Sequence, residues 1–314
     1  MLGLLAVVFM GWSLGSNAAA NLFGVAVFSR MVRFWTSALL AACFVILGAT
    51  FQGEPGIQTL SGLTALGPEK ALLCTVAAAL TVTVMTLVRL PICTAQAVVG
   101  ALMGIALLQR HLDWGQLEKV VAAWLGTPTG AMVLAIVLYK LMARIYNRVS
   151  LNMFQKDALL RTGLILTGCY CSYALGANNV ANVTGVFVGS GQLDLALATF
   201  LGGCSIAFGI LTFSRGVMET VGRRLLILDP FSALVVMMAE ALTVHFFALV
   251  GVPVSTAHAV IGAMLGIGLL KGVETVRLRT LSQVLAGWFL TPALGAGFFL
   301  LLYFLAHLRF VPDV

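Results

Sequence analysis

The sequence predicts an all-α polytopic membrane protein of about ten transmembrane segments arranged as two inverted five-segment repeats. Three observations predict it. Hydrophobic residues make up 61% of the 314 residues and charged residues only 9%, against about 25% charged in soluble chains, and the mean hydropathy is +1.05. The apolar residues gather in runs of about 20, the length that crosses a bilayer. Three short phrases also recur in one order at a nearly constant shift. The net charge of +7 falls in short loops between apolar runs, where it reads as a topology signal and not as a nucleic-acid footprint. A lipid bilayer is therefore an expected partner, and nucleic acid is not.

The first half holds runs at 2–29, 35–51, 72–88, 92–108 and 120–143, and the second at 159–188, 195–213, 231–250, 254–270 and 284–307. With the N-terminus outside the cytoplasm, the cytoplasmic loops carry Arg30, Arg33, Arg89, Lys140, Arg144, Arg148, Lys156, Arg161, Arg215, Arg223, Arg224, Lys271, Arg277 and Arg279. Only Lys70, Arg110, Lys119 and Arg309 stay outside. Basic residues concentrate on the cytoplasmic side of membrane proteins, so both termini are expected outside. Arg89 and Pro91 leave almost no loop before the fourth run, and a re-entrant hairpin is the alternative for the fourth and ninth. The first run lacks a basic leader, and its small-residue stretch is a repeated phrase, so it reads as a span and not as a cleaved signal.

Gly15-Ser16-Asn17-Ala18-Ala19-Ala20-Asn21-Leu22-Phe23-Gly24 returns as Gly176-Ala177-Asn178-Asn179-Val180-Ala181-Asn182-Val183-Thr184-Gly185, 161 residues on. Pro91-Ile92-Cys93-Thr94-Ala95-Gln96 returns as Pro253-Val254-Ser255-Thr256-Ala257-His258 after 162 residues, and Trp124-Leu125-Gly126-Thr127-Pro128 as Trp288-Phe289-Leu290-Thr291-Pro292 after 164. Residues 1–150 and 151–314 thus read as two copies. An odd number of spans in each inverts the second copy, the architecture of secondary transporters.

Asn17 and Asn21, or Asn178 and Asn182, are four residues apart and project from one helical face. Gly15, Gly24, Gly176 and Gly185 flank them and are expected to let the helix unwind there, with protein or a polar cavity satisfying the exposed backbone. In the second phrase a proline precedes Cys93-Thr94 or Ser255-Thr256, the chemistry of a helix start. A helix N-terminus aimed into the bilayer offers free N–H groups and partial positive charge to an anion. The structural alternatives are asparagines that merely bridge helices and hydroxyls that bond only a local carbonyl.

Away from the ends of the predicted spans, the acidic and basic residues inside them are Glu240, His245 and His258. A mid-span carboxylate costs about 2.5–3.5 kcal/mol, so Glu240 is expected to be protonated, paired or facing a cavity. Glu240 and His258 are the coupling candidates, for protons or another cation. Cys43, Cys74, Cys93, Cys169, Cys171 and Cys204 show no paired spacing and read as buried free thiols. No zinc pattern is present, so no metal and no cofactor is expected beyond a coupling ion, H+ or Na+. Gly100-x-x-x-Gly104 and Gly262-x-x-x-Gly266 permit close helix contact, more often within a chain than between two; a homodimer is left open.

These phrases resemble the inorganic phosphate transporter family (PiT), whose signature is a duplicated G-A-N-D-x-A-N segment with P-V-S-T-T-H further on. The second copies at 176–182 and 253–258 match closely, and the first at 15–21 and 91–96 less so. The resemblance implies a secondary transporter in which both Asn segments and both proline-led helix starts enclose a tetrahedral oxyanion. The family's signature Asp, which helps bind coupling sodium, is replaced by Ala18 and Asn179, and 35–51 and 195–213 hold no acidic residue. Sodium coupling of the family's kind is thereby put in question, and the chain resembles the sulfate-permease-like members. Phosphate near neutral pH carries protons that a carboxylate accepts well, whereas sulfate carries none. Amides, hydroxyls and helix N-termini donate to a fully ionised anion, and losing carboxylates removes repulsion.

The expectation is therefore a cell-membrane transporter of a small inorganic oxyanion, sulfate ahead of phosphate, cation- or proton-coupled and working by alternating access. The expected substrate-binding residues are Asn17, Asn21, Asn178, Asn179, Asn182, Thr94, Ser255 and Thr256. A sodium-coupled phosphate symporter and a passive anion channel are the alternatives. An enzyme is not expected, because the spans hold no nucleophile–base pair, metal cluster or carboxylate pair.

Overall fold

The computed structural model describes residues 2–28, 30–62, 67–88, 92–109, 114–148, 150, 152–216, 218, 228–272 and 278–308. Pro91 and the topology residues Arg89, Arg110, Arg223, Arg224, Arg277 and Arg309 lie outside them. Within the described residues the chain forms eleven helices: α1 (Leu2–Phe28), α2 (Phe34–Gln52), α3 (Glu54–Ser61), α4 (Pro68–Leu87), α5 (Thr94–Gln109), α6 (Trp114–Arg148), α7 (Met153–Gly189), α8 (Leu195–Phe213), α9 (Pro230–Val250), α10 (Thr256–Lys271) and α11 (Leu278–Leu308). Eight are long and apolar enough to cross a membrane, whereas α5 and α10 are apolar but shorter. All ten spans read from the sequence are helices, and α3 is an addition.

At 16 residues each, α5 and α10 rise about 24 Å, less than the hydrocarbon thickness of about 30 Å. Their first residues, Thr94 and Thr256, are buried. Both helices therefore begin inside the protein, as the hairpin alternative requires. Chain entry is fixed locally: Ser255 caps α10 by accepting from the His258 N–H, and Asp229 caps α9, whose first turn starts with Pro230. Gly251, at φ +80°, ends α9 in the left-handed conformation that favours glycine.

The packing exchanges partners between halves. α1 lies on α8 as α2 lies on α7, and α6 lies on α10 as α11 lies on α5. Glycines make these approaches possible at equivalent positions. A Cβ on Gly15 would overlap the Ile206 carbonyl, and one on Gly176 the Val45 carbonyl; Gly209 meets Trp12 and Gly48 meets Tyr173 in the same way. Gly100 sits against Pro292 and Gly262 against Pro128, so the GxxxG pairs serve contacts within the chain.

The expected helix breaks do not occur. α1 and α7 run unbroken through Gly15, Gly24, Gly176 and Gly185. Gly15 and Gly176 are small because a neighbouring backbone lies where a side chain would be, and Gly185 faces Leu60 of α3, whereas Gly24 has room. Two cysteines also depart from expectation. Cys43 is exposed and Cys204 half-buried, on helices with apolar outer faces, while the other four are buried.

Candidate functional site

The eight predicted binding residues gather where α1, α4, α5, α7, α9 and α10 meet. Seven are buried, and Asn21 is half-buried. Two of their hydrogen bonds cross the repeats. Thr94 of α5 donates to Asn179 Oδ1 of α7 at 3.2 Å, and Asn21 Nδ2 of α1 donates to Thr256 Oγ1 of α10 at 3.4 Å. The two contacts differ because the first repeat carries Ala18 where the second has Asn179. Thr256 therefore meets the asparagine one turn further along.

Asn178 clamps the chain leading into α10. Its Nδ2 donates to the Val254 carbonyl at 2.7 Å, and its Oδ1 accepts from the Val254 N–H at 2.9 Å. Asn17 Nδ2 instead reaches Thr86 Oγ1 of α4 at 2.8 Å. Asn182 Nδ2 donates to Asn179 Oδ1 at 3.0 Å, so that oxygen takes two donors. Two polar atoms of the cluster remain without a partner: Asn179 Nδ2, a donor, and Asn182 Oδ1, an acceptor. A buried polar group left unpaired costs about 1–3 kcal/mol, which makes both atoms natural contacts for a polar solute.

The N-terminal turns of α5 and α10 approach each other, with the Ser255 side chain beside the Cys93 thiol. Amide N–H groups of a first helical turn lack intrahelical partners, so two positive helix ends converge on the asparagines. The junction offers amides, hydroxyls and backbone N–H groups, and none of its eight residues is acidic. Anions bind to such surroundings.

The coupling candidates are both buried. Glu240 of α9 is 2% exposed, with Oε2 unpartnered, and faces α7 near Cys171. His258 directs Nδ1 at the Trp124 carbonyl, 3.3 Å away, and lies on the Trp288 ring with centroids 3.9 Å apart. The other histidine away from the span ends, His245, has both nitrogens engaged, with Tyr170 at 2.8 Å and Gln52 at 2.5 Å.

Sequence reasoning missed Thr86, Val254 and α3. Thr86 and Val254 act through contacts that no local spacing announces. α3 is only eight residues long and starts with Glu54-Pro55, too short and polar to read as a span. It nonetheless lies on the Asn segment of α7, with Gly56 against Ala181. Trp124 and Trp288 were visible as a repeated phrase, but without a role.

A bundle of apolar helices with a polar junction held between two repeats is the architecture of a membrane transporter. The chain belongs to the phosphate transporter family, whose sequence model (PHO4) matches residues 14–156 and 145–298. It is a multi-pass membrane transporter of an inorganic anion. It is 29% identical to a putative phosphate permease of Methanocaldococcus jannaschii over 287 residues, 91% of either chain. It is 28% identical to the sulfate permease CysP of Bacillus subtilis, covering 92% of this chain and 82% of that protein. A solved sodium-dependent phosphate transporter has the same fold, with a TM-score of 0.87, 23% identity and 98% coverage of both chains.

Proposed function

We propose that the chain moves sulfate ahead of phosphate by alternating access, with inward movement coupled to protons or another cation. The substrate is held by Asn17, Asn21, Asn178, Asn179, Asn182, Thr94, Ser255, Thr256 and the first-turn amides of α5 and α10. In this reading residues 1–150 and 151–314 are inverted repeats that rock about the junction, and both termini face away from the cytoplasm of the cell membrane. The observation that carries it is the pair of cross-repeat contacts, Thr94 to Asn179 and Asn21 to Thr256. A solute between them touches both repeats, so their relative movement can expose it to either side. Likeness to the CysP sulfate permease supports the choice of anion, as does Asn179 at the position where a phosphate carrier would keep a carboxylate.

Coupling follows from charge. Each uncompensated elementary charge moved against the potential costs about 2.3 kcal/mol per 100 mV, so sulfate entering a negative interior needs two accompanying positive charges.

A second reading, sodium-coupled phosphate symport, is favoured by Asn182 Oδ1. This buried acceptor without a donor suits the proton of a hydrogenphosphate. The Asn179→Asp variant separates the two readings. Asp keeps the acceptor used by Thr94 and Asn182 and adds a charge. The proposal expects sulfate binding to weaken about tenfold or more, through like-charge repulsion, while phosphate competes better than in the wild type. Unchanged sulfate affinity in the variant would remove the argument.

A further inference from the structure

His258 occupies the first turn of α10, two residues after Thr256, and is fully buried. Its tautomer follows from its surroundings. Nδ1 faces the Trp124 carbonyl oxygen, which can only accept, so Nδ1 carries the hydrogen and Nε2 the lone pair. Nε2 has no hydrogen-bond partner, so this side chain presents a free basic atom.

The face of Trp288 lies against the imidazole at 3.9 Å, tilted by 40°. An aromatic face within about 6 Å attracts a cation, so protonation at Nε2 keeps the Trp124 bond and gains the attraction of the indole. Burial and the positive end of α10 oppose it. An anion at that helix end reverses the second of these effects.

The charged surroundings are sparse. α1 has no ionisable side chain; α9 offers Glu240 and His245; α6 carries Glu118, Lys119, Tyr139, Lys140, Arg144, Tyr146 and Arg148; α11 carries Arg279, Tyr303 and His307; and Cys93 faces Ser255 from the start of α5. Among the described residues, neither Glu240, His245, Cys93 nor the ionisable side chains of α6 hydrogen-bond to the imidazole.

We propose that His258 Nε2 is a proton-binding atom of the transport cycle, and that a proton there and an oxyanion at the N-terminus of α10 bind cooperatively. The proton comes from water on the side from which the anion enters and returns to water on the other side, leaving Nε2 with its lone pair. The first repeat places Gln96 at the equivalent position, which cannot take up this charge, so the device is confined to one repeat. The inference rests on the junction being an oxyanion site. Coupling of this kind is reciprocal: if the anion favours the proton, the proton favours the anion by the same factor.

The test is binding of radiolabelled sulfate to the purified full-length protein between pH 5 and 8, with proton-driven accumulation and sulfate–sulfate exchange measured in proteoliposomes. For the wild type, affinity is expected to fall by up to about tenfold per pH unit across the titration, the limit for one linked proton. His258→Gln, which copies the first repeat, should flatten that slope and abolish accumulation while exchange persists. Trp288→Leu should move the midpoint to lower pH, and it decides the matter if His258→Gln does not fold. A preserved slope in His258→Gln overturns the inference, as does an unmoved midpoint in Trp288→Leu, or a slope lost only in Glu240→Gln. Wild-type protein that binds neither sulfate nor phosphate at any pH would instead overturn the oxyanion reading, and this inference with it.

Discussion

Asn178 uses both ends of its amide on the backbone of one residue, Val254, and so fixes the entry of α10 against α7. Asn178→Ala leaves the Val254 N–H and carbonyl unpaired, so a loss of about 1–3 kcal/mol is expected in denaturation of the detergent-purified protein, together with loss of anion uptake. Asn178→Asp is expected to be worse than a simple loss of charge balance suggests, because a carboxylate accepts from the N–H but repels the carbonyl. The importance of this residue was legible in the sequence because a polar side chain in an apolar helix needs a reason and this one is duplicated. Its partner was not legible, because Val254 contributes only backbone atoms and lies 76 positions away. The same holds for Asn17, whose partner Thr86 belongs to a helix read only as apolar.

Among the elements, the glycines show most clearly where sequence reasoning misled. Glycine beside asparagine within a span suggested an unwound helix, yet Gly15 and Gly176 thin the α1–α8 and α2–α7 interfaces and Gly185 packs on Leu60 of α3. Gly176→Ala would push a methyl group into the Val45 carbonyl, and overpacking of this kind costs about 1–3 kcal/mol or more. Gly24→Ala, whose new Cβ would have Met218 O at 3.7 Å as its nearest neighbour, should leave the melting temperature unchanged or raise it. Equal effects of the two substitutions would contradict the packing account. α9 and α10 are also joined at their far ends, where Lys271 bonds the Asp229 cap. Partial burial works to raise the Asp229 pKa, but Lys271 and the Ser232 N–H and hydroxyl outweigh it and lower the pKa. Because the folded pKa is depressed, the stability this group supplies is present above about pH 4. It is lost as pH falls through the lowered value. Asp229→Ala should cost about 1 kcal/mol through the lost cap, with Asp229→Asn retaining most of that. The difference between Asp229 and Asn at this position should vanish in melts taken at low pH.

The whole molecule is nearly symmetric in its backbone contacts and unequal in its chemistry. At one pair of equivalent positions Ser13 hydrogen-bonds Thr83 at 2.8 Å and Trp12 bonds Thr212 at 3.0 Å, beside a cavity of about 30 Å³ lined by Ser16 and Thr86. The equivalents in the other repeat place His245 between Tyr170 and Gln52, with Tyr173 against the ring. One end of the junction is thus held by hydroxyls and the other by a fully bonded imidazole. His245→Ala should free that end and raise the exchange rate relative to accumulation, measured with labelled sulfate in proteoliposomes. The repeat order and the span count were readable, because hydropathy and phrase spacing are properties of the chain; the shortness of the fourth and ninth helices was not, since their apolar runs are as long as the second and third. Which repeat bonds which was not, since partner exchange arises only when the two halves close on each other. The central claim is that this junction carries a fully ionised oxyanion. Its most direct measurement is uptake of radiolabelled sulfate and phosphate, in parallel, into proteoliposomes with proton and sodium gradients imposed separately. The account predicts proton-driven sulfate uptake that is lost in Asn178→Ala; sodium-driven uptake of phosphate, with sulfate excluded, would contradict it.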